Sequence, residues 1–186
     1  MLRSILFTIV AVFSLHAQEV PNDYLTPAFH EGRRQAVRAQ MPPNSVAVFF
    51  ANPVRNRAND VDFHYHQAPN FYYLTGLKEP HAVLLIYKEP QVVDGVAMDD
   101  VLFVQERDSL REQWDGFRAG QEGAISEFGA DIAYSYSDVN ELMPKLMDGA
   151  KNVYYSMSSP NGIEAPLSDW IDTIRANTRS GSVAPQ

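Results

Sequence analysis

The sequence predicts an α/β fold in which a mixed β-sheet is flanked by helices. Short apolar runs typical of buried strands dominate the first half of the chain, and amphipathic helical spacing dominates the second half. The early runs are close enough in sequence for antiparallel pairing, whereas the later connections are long enough for crossovers between parallel strands. A sheet that mixes both kinds of pairing is therefore expected.

The first 18 residues have the layout of a secretory signal peptide. Arg3 is followed by a continuous apolar stretch from Ile5 to Leu15, and small or polar residues follow at Ala17 and Gln18. The stretch is shorter than the roughly 20 apolar residues that a membrane-spanning helix needs. We therefore predict a secreted or periplasmic protein that does not sit in a membrane, the alternative being a buried first helix or strand.

The charge of the chain limits the partners it is expected to have. Its 186 residues carry a formal net charge of -8, and loss of a leader containing Arg3 makes the charge one unit more negative. An acidic chain without a basic run repels phosphate backbones, so nucleic acid is not an expected partner. The absence of cysteine excludes cysteine-based catalysis.

The first helix is predicted to start at Thr26-Pro27, because threonine is a good N-cap and proline fits the first helical position. Phe29, Ala36 and Val37 then fall on one face, and the helix is expected to end before Pro42-Pro43. The three arginines of this helix, Arg33, Arg34 and Arg38, are predicted to lie on its solvent side.

Five apolar runs are predicted to be strands. The second and third are separated by a short segment, Gly76 to His81, which predicts a β-hairpin. In chain order the runs are Ser45 to Phe50, Phe71 to Thr75, Ala82 to Tyr87, Val101 to Val104 and Asn152 to Ser156.

Two helices are predicted in the second half from apolar residues at helical spacing. The first contains Val139, Leu142, Met143, Leu146 and Met147, with Ser137 as its cap and Pro144 as a kink or a frayed start. The second follows Pro166 and contains Leu167, Trp170, Ile171 and Ile174. Residues 177–186 are small and polar, which is typical of a linker or a frayed end.

His64 and His66 are candidate metal ligands, because residues two apart on a strand face the same side. A third ligand would have to come from His81, Asp60 or Asp62, and the spacing does not require these residues to converge. The other interpretation is a solvated segment before a turn, and we assign no metal ligand in this chain.

Trp114 and Arg118 are the candidate interaction residues. They lie in a turn-rich segment between Gln113 and Gly120, and tryptophan and arginine dominate binding hot spots. The structural alternative places Trp114 as a lid on the core, with Arg118 paired to Asp115 or Glu122.

Other catalytic sites find little support in the sequence. Asp94, Asp99, Asp100 and Asp108 could pair as acid and base, but the first three fall in a loop-like stretch, Val93 to Asp100, where solvated carboxylates are expected. The sequence contains no nucleophile elbow, phosphate-binding loop or zinc-protease helix motif, so no catalytic residue is assigned.

Several segments together resemble the N-terminal domain of aminopeptidase P. They are Arg33-Arg34-Gln35, Asn70 to Gly76, Glu79 to Val83, Glu106 to Gly120 and Phe128 to Asp131. The resemblance implies a creatinase-like, ribonuclease H-like N-terminal domain over residues 22–176, preceded by the leader at 1–18 and followed by a linker or tail at 177–186.

The resemblance also implies a function. Aminopeptidase P releases the N-terminal residue before proline, using two manganese ions that are bound in a C-terminal domain. By analogy this domain caps the active site, contacts other subunits of a homo-oligomer through Trp114, and is inactive alone. The expected partners are a catalytic metallopeptidase domain and peptides with proline in second position. Two alternatives remain: a freestanding interaction module with the same fold, and a small enzyme built around His64 and His66.

Overall fold

A five-stranded mixed sheet organises the chain. The computed structural model describes residues 25–93, 95–156 and 164–185, so the predicted leader and Asp94 lie outside the described residues. The elements, in chain order, are α1 (Pro27–Gln40), β1 (Ser45–Phe50), β2 (Asn56–Ala58), β3 (Val61–Asp62), α2 (Pro69–Thr75), β4 (Val83–Val93), β5 (Val96–Val104), α3 (Glu112–Asp115), α4 (Gly120–Ser126), β6 (Ile132–Ser135), α5 (Val139–Met147), β7 (Asn152–Tyr155) and α6 (Glu164–Ala176). None of the described helices has the length and apolar character needed to cross a membrane.

The strand pairing confirms the predicted mixed sheet. The strands lie in the order β6-β5-β4-β1-β7. The pairs β1–β4 and β4–β5 are antiparallel, whereas β1–β7 and β5–β6 are parallel. The two-stranded ribbon β2–β3 stands apart from this sheet.

Successive residues of the central strands pack into two different cores, because their side chains alternate between the faces of the sheet. On one face, Val48 and Leu85 pack in the same cluster as residues of α5 and α6. On the other face, Leu84 and Leu102 pack with residues of α2 and α4. The central strands are therefore buried on both sides, as their unbroken apolar sequences predict.

The predicted strand over residues 71–75 is wrong, because these residues form helix α2. Pro69 occupies the first turn, and Gly76 ends the helix in the left-handed conformation with φ of 75°. Phe71, Leu74 and Thr75 are buried at helical spacing. The predicted hairpin with residues 82–87 therefore does not form, and β4 pairs with β1 and β5 instead.

Helix α1 begins and ends as predicted, but its buried face differs from the prediction. The hydroxyl oxygen of Thr26 accepts a hydrogen bond from the backbone N–H of Phe29. Ala36 is exposed, whereas Arg34 is only 2% exposed. The side chain of Arg38, also predicted to face solvent, is 14% exposed.

Arg34 is buried because it finds partners on three other parts of the chain. Its Nε donates to Asp100 Oδ2 over 2.8 Å, and its terminal nitrogens donate to the carbonyl oxygens of Leu74 and Gly129. Asp100 is 3% exposed and lies within β5, so the predicted solvated loop is wrong at this residue. Burial raises the pKa of the Asp100 carboxyl, and the nearby Arg34 opposes that rise.

The helices of the second half confirm their predicted spacing. Leu167, Trp170 and Ile174 of α6 are buried, and Pro144 lies inside α5. Ser137 does not cap α5, because it belongs to a short 3₁₀ turn, Tyr136–Asp138, that precedes the helix.

The segment after α6 lies against the rest of the domain. A 3₁₀ turn spans Thr178–Ser180. The backbone N–H of Val183 donates to Asp148 Oδ1 over 2.7 Å, and the N–H of Gly149 donates to the carbonyl of Val183 over 3.0 Å. Pro185 is buried. The described part of the tail is therefore attached at the junction between α5 and β7.

Candidate interaction site

An open cavity of about 990 Å³ lies where several segments meet. They include the start of α1, the region around β2 and β3, the turn after α2, the residues from Arg111 to Arg118, and the residues just after α4. The lining combines aromatic and charged side chains, and includes Phe63, Tyr65, Tyr72, Phe117, Lys78, Glu79, Arg111, Asp115 and Arg118. Such a mixture suits recognition of an amphipathic surface better than binding of a purely apolar ligand.

Trp114 stands on the single helical turn α3 and is 89% exposed. The turn starts where Asp108 Oδ1 accepts hydrogen bonds from the backbone N–H groups of Leu110 and Arg111. It ends at Gly116, whose φ of 89° belongs to the region that favours glycine. Trp114 therefore does not cover the core, contrary to the lid alternative.

Two further large apolar side chains accompany Trp114 at the surface. Leu110 is 73% exposed and Phe117 is 63% exposed. Arg107 lies over the ring of Phe117 at 4.1 Å and makes a two-bond ion pair with Glu112, with distances of 2.6 and 3.0 Å. The hydrogen bond from Arg107 lowers the pKa of Glu112. Through Arg107, the ring of Phe117 is thus held beside Glu112, the first residue of α3.

Arg118 lines the cavity, and its side chain is only 12% exposed. Its Nη2 lies 3.3 Å from Asp115 Oδ2, and its Nη1 donates to the carbonyl of Glu106 over 3.4 Å. Of the two partners suggested by the sequence, Asp115 is the one that pairs with it. The structure thus places Arg118 in the cavity wall and Trp114 on the outer surface of the same segment.

Glu79 is a site residue that the sequence analysis did not identify. Its Oε1 accepts a hydrogen bond from the backbone N–H of Ala119 over 2.8 Å. Its Oε2 is buried and has no hydrogen-bond partner among the described residues. Burial raises the pKa of Glu79, against the opposing effects of the Ala119 hydrogen bond and the Arg118 charge.

Gln67, also missed, connects the backbone on either side of α2 through its side-chain amide. Its Oε1 accepts from the backbone N–H groups of Asn52 and Ala68, and its Nε2 donates to the carbonyls of Leu77 and Glu79. The hydroxyl of Tyr65 lies 2.9 Å from Gln67 Oε1, and burial raises the pKa of Tyr65 to about 12. No local pattern indicated this network, because Gln67 bonds to Asn52, Leu77 and Glu79, which are 10 to 15 residues away.

His64 and His66 are exposed, and their ring centres are 5.5 Å apart. His81 does not join them, because its ring packs against Tyr136. Within the described ranges, no group of three or more histidine, aspartate or glutamate side chains is placed to hold a metal ion. None of these histidines is therefore assigned as a ligand.

Comparisons with known proteins point to one family. The model of a family described as the N-terminal domain of aminopeptidase P matches residues 30–154. The chain is 34% identical over 153 residues to the Xaa-Pro aminopeptidase of Escherichia coli (strain K12), covering 82% of this chain and 34% of that protein. It is 34% identical over 130 residues to Xaa-Pro aminopeptidase 3 of Homo sapiens, covering 69% of this chain and 25% of that protein.

Solved structures agree with the sequence comparisons. The aminopeptidase PepP of Pseudomonas aeruginosa is similar with a TM-score of 0.78 and 40% identity, covering 87% of this chain and 36% of that chain. Aminopeptidase P from E. coli with the inhibitor Pro-Leu has a TM-score of 0.78 and 32% identity over the same shares. The chain thus spans about a third of the length of these two aminopeptidases.

Proposed function

Because the chain belongs to the family of aminopeptidase P N-terminal domains, we propose that it is the N-terminal domain of an exported Xaa-Pro aminopeptidase. In this proposal the domain caps the active site of a catalytic domain, contributes contacts between subunits, and has no peptidase activity alone. The observation that carries the proposal is the family match over residues 30–154, supported by the fold similarity at a TM-score of 0.78.

The catalytic step is assigned to a domain other than the one described here. In this proposal two manganese ions are bound in a C-terminal domain, as the resemblance to the family implies. Release of the residue before proline is accordingly proposed for the whole enzyme, with peptides that carry proline in second position as substrates.

Trp114 is the proposed anchor of the contact with a neighbouring subunit or domain. A large apolar side chain that is 89% exposed gains free energy when a partner covers it. Its turn is already held by the Asp108 hydrogen bonds and the Arg107–Glu112 ion pair, so little ordering is needed on binding. Arg118, fixed by Asp115, places a cation at the edge of the same contact.

A domain exchange tests this function. We expect a chimera in which residues 25–176 replace the matched region of the E. coli Xaa-Pro aminopeptidase to release the N-terminal residue from an Xaa-Pro peptide. The purified chain itself, supplied with manganese, should release none. An inactive but folded chimera would favour the freestanding interaction module.

The same experiment also tests the alternative that the chain is a small enzyme built around His64 and His66. Turnover by the purified chain that persists on repurification and disappears in His64→Ala or His66→Ala would overturn the proposal. It would instead support a small enzyme built around these two histidines.

A further inference from the structure

We propose that Glu79 is a positioning residue, which fixes the segment Arg107–Ala119 and thereby holds Trp114 in the orientation that a partner meets. The claim that Glu79 orients Trp114 for a partner, the functional half of this inference, rests on the proposed role of Trp114 as an interface anchor. The claim that Glu79 fixes the segment, the structural half, does not, because the conformation of the segment can be measured in the chain without any partner.

Glu79 connects two parts of the chain that are far apart in sequence. Its carboxylate accepts the hydrogen bond from the N–H of Ala119, 40 residues away. Its own backbone carbonyl accepts a hydrogen bond from Gln67 Nε2 over 2.8 Å, and Gln67 is itself bonded to the backbone of Asn52 and Ala68. Glu79 therefore links this hydrogen-bond network to Ala119, the end of the segment Arg107–Ala119, which we call the Trp114 segment.

The Trp114 segment needs such an anchor. Helix α3 has four residues, and an isolated helix of one turn is unstable in water. The ion pair between Arg107 and Glu112 braces the segment internally, whereas the hydrogen bond from Ala119 to Glu79 attaches its end to another part of the chain. Release of this attachment would leave the residues around Trp114 to sample several conformations, and binding would then have to order them.

The charged groups around Glu79 show why a neutral side chain can replace it. From the Trp114 segment, Arg118 and Arg107 favour the carboxylate and Glu112 disfavours it, while burial is the largest effect and favours the neutral form. The groups that contact the backbone carbonyl of Glu79 are neutral: Gln67 Nε2 at 2.8 Å and the hydroxyl of Tyr65 at 3.5 Å. An amide in place of the carboxylate retains the acceptor for Ala119 and removes the cost of burying a charge.

Amide hydrogen exchange in three variants tests the structural half. In Glu79→Ala, exchange at Ala119 and across residues 107–119 should rise about tenfold or more, while exchange in β1 and β4 stays unchanged. Glu79→Gln should restore most of the protection. The matched control is Glu106→Ala, which removes an exposed carboxylate whose side chain makes no hydrogen bond among the described residues. Unchanged exchange in Glu79→Ala, or equal effects in the control, overturns the inference.

A titration gives a second readout that does not depend on the folding of Glu79→Ala. The chemical shift of the Ala119 amide proton in the wild type should follow the protonation of Glu79, with a midpoint above the ordinary glutamate pKa. The shift should be flat in Glu79→Gln. Because the folded state holds this proton more tightly than the unfolded state, wild-type stability relative to Glu79→Gln should fall as pH rises from the ordinary pKa through the raised one. A midpoint below the ordinary pKa contradicts this.

Association measurements separate this inference from the proposed function. If both hold, Glu79→Ala and Trp114→Ala each weaken association, Glu79→Gln does not, and the double variant is no weaker than Trp114→Ala alone. If exchange changes as expected but neither alanine variant affects association, Glu79 is a positioning residue and the interface role of Trp114 is wrong. If Trp114→Ala weakens association and Glu79→Ala does not, Glu79 does not position the anchor.

Discussion

Trp114 combines high exposure with a fixed backbone, and these two properties together distinguish it from an incidental surface residue. Single exposed apolar side chains are common on proteins. Here, however, the exposed rings of Trp114 and Phe117 and the side chain of Leu110 are carried by one segment of eight residues, from Leu110 to Phe117. Apolar groups presented together in this way are typical of binding surfaces.

Trp114→Ala should leave the stability of the domain within about 0.5 kcal/mol of the wild type, because the side chain packs little against the core. The same change should weaken self-association or docking to a catalytic domain by about 2 kcal/mol or more, the scale of an interface hot spot. Urea unfolding and sedimentation of the two proteins measure the two effects.

A control for this substitution is Val92→Ala, which also truncates an exposed apolar side chain but on β4. It should affect neither measurement. A large loss of stability in Trp114→Ala with unchanged association would remove Trp114 from the proposed interface.

The buried pair of Arg34 and Asp100 is expected to matter for stability in a way that surface pairs do not. Arg34→Met removes the 2.8 Å partner of the buried Asp100 carboxylate and leaves it only the more distant Arg38, at 3.7 Å. The change should destabilise the domain by about 3–5 kcal/mol. The midpoint of urea unfolding measures this loss.

The comparison is Arg175→Met, which breaks an exposed pair with Asp172 whose side chains are 60% and 65% exposed. It should cost about 0–1 kcal/mol. The variant Arg34→Met with Asp100→Leu should recover part of the loss, because no unpaired charge remains. Equal losses from the Arg34 and Arg175 changes would contradict this account.

At the residue scale, functional or stabilising side chains could be predicted from the sequence where their residue type is unusual. They could not be predicted where their importance comes from contacts with distant parts of the chain. Trp114 and Arg118 stood out by residue type and by family resemblance. The contacts of Arg34, Glu79 and Gln67 did not stand out, because their partners lie up to 95 residues away and no local pattern reveals them. Arg34 was predicted to face solvent and is buried for this reason.

At the element scale, the clearest error concerns helix α2. Its three aromatic residues, Phe71 to Tyr73, favour a strand by propensity, but propensity in strands depends on context. Pro69 and Gly76 mark the two ends of a helix, and the burial of Phe71 and Leu74 has helical spacing. The flanking Pro69 and Gly76 therefore indicate the helix, whereas the aromatic composition of the segment wrongly indicates a strand.

Gly76→Ala tests the importance of this helix end. At a φ of 75°, the added Cβ would lie 2.7 Å from His30 Nε2, so the variant meets both backbone strain and a close contact. We expect a loss of about 1–3 kcal/mol in the free energy of unfolding.

The control for this change is Gly32→Ala within α1, where an added Cβ meets nothing within 4 Å. That variant should gain about 0.5–1 kcal/mol, because alanine favours the helix more than glycine. Two substitutions of the same type should thus have opposite signs. A neutral Gly76→Ala would show that α2 can end in another way.

At the scale of the whole molecule, the predicted strands at 45–50, 82–87, 101–104 and 152–156 overlap strands of the sheet. However, β4 continues to Val93 and β5 already begins at Val96, so the predicted loop over 93–100 is wrong for most of its residues. Strand β6 was missed, because Ile132–Ser135 is short, only partly buried, and defined by parallel pairing to β5. Parallel pairs join distant segments, and local sequence does not specify them.

The prediction that the protein is exported depends on the predicted leader, residues 1–18. In a secreting host, the leader should be cleaved near Ala17-Gln18, because the apolar stretch and the small residues match a signal peptide. Intact mass and N-terminal sequencing of the exported protein measure the cleavage site. A folded, exported product that still begins with Met1 would contradict the assignment.

The three contacts of the Arg34 guanidinium have a consequence for synthesis. The partners of this side chain lie at Leu74, Asp100 and Gly129, all later in the chain than α1. A ribosome makes α1 before any of them, so the helix emerges with no surface on which to bury its arginine. Arg34 therefore cannot make all three hydrogen bonds until the chain has been extended past Gly129. The element made first thus completes its contacts only when most of the domain has been synthesised.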